Sequence, residues 1–210
     1  MLFYRFVWYT VAQGSRALFR VRMRGTERLP KTGGYILAPS HRSMMDILFI
    51  ALVTKRRVRF MGKASVFKLP ILGTVIRWLG GFPVERDGTD RKAVRDSIAM
   101  LNAGEILAIF PEGTRLHGEK IQPLQPGATY LALRANVPVV PVGMAGSEEI
   151  FRSHGTKIPR FGRVAIVVGE PITPPTRQGG VVPRADVDAL TSTLADELQA
   201  VFDEAYDLRT

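Results

Sequence analysis

The chain of 210 residues contains no cysteine. That excludes a disulfide framework, a thiol nucleophile and a thiolate metal site, and fits a reducing compartment. No apolar run approaches the ~20 residues that cross a bilayer as a helix. No low-complexity tract and no internal repeat is present. The phosphate-loop pattern G-x-x-x-x-G-K-[ST] is absent, which argues against a nucleotidase of that class. Acidic residues are also in deficit: 29 Lys and Arg stand against 19 Asp and Glu, a net charge of +10. Such a balance favours anionic partners, whether nucleic acid, lipid headgroups or phosphorylated small molecules.

What is present is apolar enough to fold. Hydrophobic residues make up 46% of the sequence, too many for a disordered chain, and the length suits one domain with a sizeable core. The N-terminus sets Phe3, Tyr4, Phe6, Trp8 and Tyr9 around Arg5, then adds Arg16, Arg20, Arg22 and Arg24. It lacks a signal-peptide cleavage pattern. An aromatic helix trailed by arginines suits a membrane interface, with rings at headgroup depth and guanidinium groups on phosphate. Residues 1–20 are therefore expected to form an interfacial helix, and 21–210 the main domain.

Short apolar runs alternate with helical patterns. Strands are expected at 21–24, 35–38, 58–61, 105–110, 139–142 and 163–168, with a brief extended segment after Gly80-Gly81. Helices are expected at 44–54, at 66–79 broken by Pro70 and Gly73, from Thr89 or Asp90 to Asn102, at 127–135 and at 186–206. The alternation predicts a single α/β domain. Its central sheet is mixed but largely parallel, helices flank it, and the active site lies at the C-terminal strand edge.

One stretch at that edge carries chemistry. Pro39-Ser40-His41-Arg42-Ser43-Met44-Met45-Asp46 follows an apolar strand and precedes an apolar helix. On one regular helix, residues five apart point about 140° away from each other. A His41–Asp46 hydrogen bond therefore requires His41 in the loop before the helix, and Ser43 is a natural cap there. Neutral imidazole would then take a hydroxyl proton while the carboxylate holds the tautomer. In isolation, the pair reads more readily as a surface histidine beside a helix-start aspartate. Phe110-Pro111-Glu112-Gly113-Thr114-Arg115 leaves another strand with a glycine turn, a hydroxyl and a guanidinium, donors suited to a phosphate monoester. Arg86 and Lys63 stand at two further strand exits. His117 and His154 lie in polar loops, away from any suggestive carboxylate.

Four blocks occur in order: His41-Arg-Ser-Met-Met-Asp46, Gly80-Gly-Phe-Pro-Val-Glu-Arg86, Phe110-Pro-Glu-Gly-Thr-Arg115 and Val137-Pro-Val-Val-Pro-Val142. Over roughly residues 20–170 the chain resembles the glycerolipid acyltransferases, in their 1-acylglycerol-3-phosphate O-acyltransferase branch. The resemblance implies transfer of a fatty acyl group from acyl-CoA or acyl carrier protein to lysophosphatidate, giving phosphatidate for phospholipid synthesis. It implies His41 as base and Asp46 as its partner, with direct attack and no acyl-enzyme. Lys63 would lie near the reacting centre, where it stabilises an oxyanion or holds phosphate. Arg86, Glu112, Gly113, Thr114 and Arg115 would form the acceptor-phosphate site.

No cofactor or metal is expected beyond the thioester substrate. The expected partners are the two substrates and an anionic membrane surface, not nucleic acid, and the expected place is the cytoplasmic face of the cell membrane. Two residues depart from the family pattern: Pro83 stands where relatives often carry Phe, and Gln125 where many carry Lys. The rival readings are another acceptor, such as a different lysophospholipid or glycerol 3-phosphate, and a non-catalytic basic module that binds membrane or nucleic acid.

Overall fold

The structure, a computed structural model, describes residues 9–10, 14, 16–78, 80–84, 91–150, 161–176 and 180–210. Seven strands form one sheet: β1 Arg22–Arg24, β2 Tyr35–Pro39, β3 Val58–Lys63, β4 Gly81–Val84, β5 Ile106–Ala108, β6 Val139–Ala145 and β7 Ala165–Val168. Their spatial order is β1-β7-β6-β2-β5-β3-β4. All pairs are parallel except β6 with β7. The C-terminal ends of β6, β2, β5, β3 and β4 therefore lie along one edge.

Among the described residues, six α-helices pack with the sheet: α1 Asp46–Ile50, α2 Ala64–Phe67, α3 Pro70–Trp78, α4 Arg91–Asn102, α5 Gly127–Ala135 and α6 Arg184–Arg209. Strands with both faces covered read as continuous apolar runs, and β2 is buried at every position. Its side chains alternate between two cores. Tyr35 and Leu37 meet Phe49, Ile50, Leu52 and Val53 from α1 and the turn after it. Ile36 and Ala38 meet Leu101 of α4, Ala128 and Leu131 of α5, and Leu190 and Leu194 of α6. Helices thus close both faces of the sheet.

Several elements differ from expectation for local reasons. The helix expected at 44–54 is only Asp46–Ile50. Before it, the Asp46 carboxylate draws in the N–H groups of Arg42 and Ser43 and holds the chain in a turn. After it, Leu52 and Val53 donate to the carbonyls of Phe49 and Ile50, three residues back, which tightens and ends the helix. Ser43 does not cap this helix; its hydroxyl accepts the Met45 N–H at 3.3 Å. The 66–79 stretch does form two short helices, and Pro70 begins the second, where its missing N–H costs nothing. β6 runs on to Ala145 because its second half pairs with β7, from Val142 opposite Val168 to Ala145 opposite Ala165.

The proposed caps Thr89 and Asp90 lie outside the described residues. So does most of the 1–20 segment; residues 16–18 are helical, and Phe19 packs edge-on against Phe49 with ring centres 5.6 Å apart. Among the described residues, no helix is long and apolar enough to cross a membrane.

α6 crosses β6 so closely that only glycine fits at residue 143. A Cβ there would lie 2.1 Å from the Val201 carbonyl oxygen. Gly143→Ala must therefore push the helix off the sheet, and a loss of about 1–3 kcal/mol is expected. Urea denaturation measures it; an unchanged midpoint would show that the helix does not pass there.

Candidate active site

The β2–β6 pairing continues past the end of β2. Ser40 donates its N–H to the Val142 carbonyl at 3.0 Å, and its hydroxyl accepts the Met144 N–H at 3.0 Å. His41 is therefore delivered from a fixed backbone. It stands in the loop before α1, and Asp46 is the first residue of that helix. The His41 Nδ1 lies 2.9 Å from the Asp46 Oδ2. The same oxygen accepts the N–H groups of Arg42 and Ser43, each at 2.7 Å. Three donors on one oxygen of a fully buried carboxylate offset the cost of burying its charge.

The imidazole is not free to swing. It stacks on Phe110 with ring centres 4.0 Å apart and planes 29° from parallel. Its side chain is only 15% exposed. With Nδ1 held by Asp46, Nε2 is the ring nitrogen left for chemistry.

The third block folds against this loop. Gly113, in left-handed backbone at φ 73°, ends a turn in which its N–H reaches the Phe110 carbonyl. Leu116 then donates its N–H to the His41 carbonyl at 3.0 Å. Between these two anchors Gly113, Thr114 and Arg115 are exposed, so the loop tied to His41 presents a hydroxyl and a guanidinium to solvent.

Glu112 stands differently. Its carboxylate is fully buried and forms an ion pair with Arg42, which is 1% exposed. Arg42 Nη1 donates to Glu112 Oε1 at 3.0 Å and Oε2 at 2.8 Å. Glu112 also accepts the His41 N–H at 3.0 Å and the Gln122 N–H at 3.2 Å. Lys63 ends β3, on the strand beside β5, while Arg86 lies two residues beyond β4 and outside the described residues. His117 is exposed, and His154 is also outside the described residues.

The sequence reasoning missed Arg42. It lies inside the His–Asp spacing, yet its side chain turns inward and its partner is 70 positions away. Its Nη2 donates to the Lys120 carbonyl at 3.2 Å, and its guanidinium lies 4.6 Å from the centre of the Phe202 ring. Phe202 meets Tyr206 edge-on, and the Tyr206 hydroxyl donates to Glu148. Burial, with the Glu148 carboxylate beside it, pushes the Tyr206 phenol up to about 12 and keeps it neutral.

Comparison with known proteins shows the family and the fold. The sequence profile of the family described as Acyltransferase matches residues 20–145, more than half of the chain. The chain belongs to the Acyltransferase family. This acyltransferase is 28% identical over 153 residues to the 1-acyl-sn-glycerol-3-phosphate acyltransferase of Bacillus subtilis, covering 72% of this chain and 73% of that one. It is 30% identical over 193 residues to the human 1-acyl-sn-glycerol-3-phosphate acyltransferase alpha, covering 88% of this chain but only 64% of that one. The crystal structure of the 1-acyl-sn-glycerophosphate acyltransferase of Thermotoga maritima superposes with a TM-score of 0.74 at 24% identity, over 95% of this chain and 80% of that one. That likeness bears out the single α/β domain with its mostly parallel sheet.

Proposed function

We propose that this acyltransferase moves a fatty acyl group from a thioester, carried on coenzyme A or acyl carrier protein, to the free hydroxyl of 1-acylglycerol 3-phosphate. The observation that carries the reading is the buried Asp46 carboxylate on His41 Nδ1, which leaves Nε2 as a base beside an exposed hydroxyl- and guanidinium-bearing loop. The names of the relatives supply the acceptor class.

In this scheme the acceptor hydroxyl gives its proton to Nε2 as its oxygen bonds to the thioester carbonyl carbon. Asp46 steadies the imidazolium that forms. The tetrahedral oxyanion then collapses, the carbon–sulfur bond breaks, and the departing thiolate takes the proton from Nε2. The products are phosphatidate and a free thiol. A thioester is already activated, so the hydroxyl attacks directly and neither an acyl-enzyme nor a cofactor is needed.

Gly113, Thr114, Arg115 and Arg86 bind the acceptor phosphate, and Lys63 steadies the oxyanion or the phosphate. Glu112 acts from behind, through Arg42 and the His41 backbone. The aromatic and arginine-rich residues 1–20 dock the enzyme on an anionic membrane, at its cytoplasmic face, where the acceptor resides. A panel of acceptors with one acyl-CoA tests the proposal. Lysophosphatidate should be turned over fastest; negligible turnover of it, with glycerol 3-phosphate or another lysophospholipid accepted, would overturn the choice of acceptor.

A further inference from the structure

The family match ends at residue 145, yet the loop that carries the dyad is held by a helix that begins at residue 184. We propose that Gln199 and Phe202 of α6 are positioning residues, which act on His41 and Asp46 through Arg42 and the 119–122 segment. The inference rests on the dyad reading above.

Two independent contacts converge on one guanidinium. The Gln199 carboxamide brackets Lys120: its Oε1 accepts the Ile121 N–H at 2.8 Å, and its Nε2 donates to the Glu119 carbonyl at 3.2 Å. A further bond from Nε2 to Asp203 Oδ1, at 2.7 Å, fixes which way the carboxamide faces. Lys120, held between them, presents its carbonyl to Arg42 Nη2. The next residue but one, Gln122, gives its N–H to Glu112, the other partner of Arg42. Phe202, fully buried, lays its ring under the same guanidinium, and Tyr206 braces that ring from its edge.

A flat cation on an aromatic face is held in plane and in place, which an aliphatic side chain cannot do. Arg42 follows His41 directly, and its own N–H is one of the three donors on Asp46 Oδ2. A guanidinium that shifts must therefore drag the peptide that aims the carboxylate at the imidazole. Elsewhere α6 buries only aliphatic side chains, such as Val187, Leu190, Leu194 and Leu198, so these contacts are specific to the stretch beneath the dyad.

Phe202→Leu removes the aromatic face while keeping most of the volume, and Gln199→Ala frees the 119–122 segment. Each is expected to lower kcat about tenfold, since misplacements under 1 Å are enough for that, with KM for the acyl thioester changed less than about twofold. Leu194→Val, on the same helix about two turns earlier, should lower the melting temperature and leave kcat alone. The decisive measurement is a double-mutant cycle. Because Phe202 acts through Arg42, adding Phe202→Leu to Arg42→Lys should cost no further activity.

Titration of the His41 ring by NMR gives a readout that needs no substrate: its midpoint should move in Phe202→Leu and stay in Leu194→Val. Full additivity in the cycle, or a His41 titration unmoved by Phe202→Leu, would overturn the proposal. Absence of transfer by the wild-type protein to any acceptor would instead overturn the proposed function, and the NMR comparison would still decide the positioning role.

Discussion

His41→Ala is expected to lower kcat for acyl transfer to lysophosphatidate by at least about 100-fold, the ordinary contribution of a positioned general base. The expectation comes from geometry. Asp46 Oδ2 holds Nδ1 at 2.9 Å, and Phe110 holds the ring plane. The imidazole is an end point of the hydrogen-bond network rather than part of the core, so its removal should leave the melting temperature close to that of the wild type. Steady-state kinetics with a fixed acyl-CoA, alongside a thermal melt, tests both statements. A loss below tenfold in a protein that melts normally would remove His41 from the role of base. The same result would favour a basic module that only binds lipid.

Glu112→Gln should do the opposite, damaging stability before chemistry. The carboxylate accepts four hydrogen bonds from three nitrogens: two from Arg42 Nη1, one from the His41 N–H and one from the Gln122 N–H. A carboxamide must place its NH2 against one side of that set, donor facing donor. It also leaves the Arg42 charge buried without a counter-ion, and breaking a buried pair from one side costs about 3–5 kcal/mol. For a chain of this size each kcal/mol is worth roughly 2–4 °C, so a fall of about 6–20 °C in Tm is expected. A glutamate that served only the acceptor phosphate would behave otherwise, raising KM and leaving Tm alone. Differential scanning calorimetry with kinetics on the same samples separates the two roles, and an unmoved Tm would return Glu112 to the surface of the site.

Glu112 shows why part of the third block was legible and part was not. Thr114 and Arg115 are exposed donors in a loop after a buried strand, and a sequence shows that directly. Glu112 sits in the same loop with the same look of a ligand. Its direction depends on Arg42, 70 residues earlier, and only packing brings the two together. Arg42 was hidden for the same reason, as a charged residue between His41 and Asp46 that reads as solvent-facing. α1 was overread because its apolar run continues to Val53, while the run's hydrogen bonds switch to three-residue spacing after Ile50.

Local order was written in the chain. Apolar runs bounded by glycine and proline set the succession of strands and helices, and α5 falls at Gly127–Ala135 as its pattern predicts. The five-residue separation of His41 and Asp46 required that the histidine precede the helix, and it does. These are short-range matters, decided by periodicity, turn chemistry and the reach of a few residues. What tertiary structure alone decided is long-range: the strand order that gathers four exits on one edge, the Arg42–Glu112 pair between two of them, and the seat of α6 on Gly143 and beneath Arg42. The reason is physical. A buried charge is tolerable only where its partners meet it, and a pattern along one strand or helix does not name partners 70 or 160 residues away.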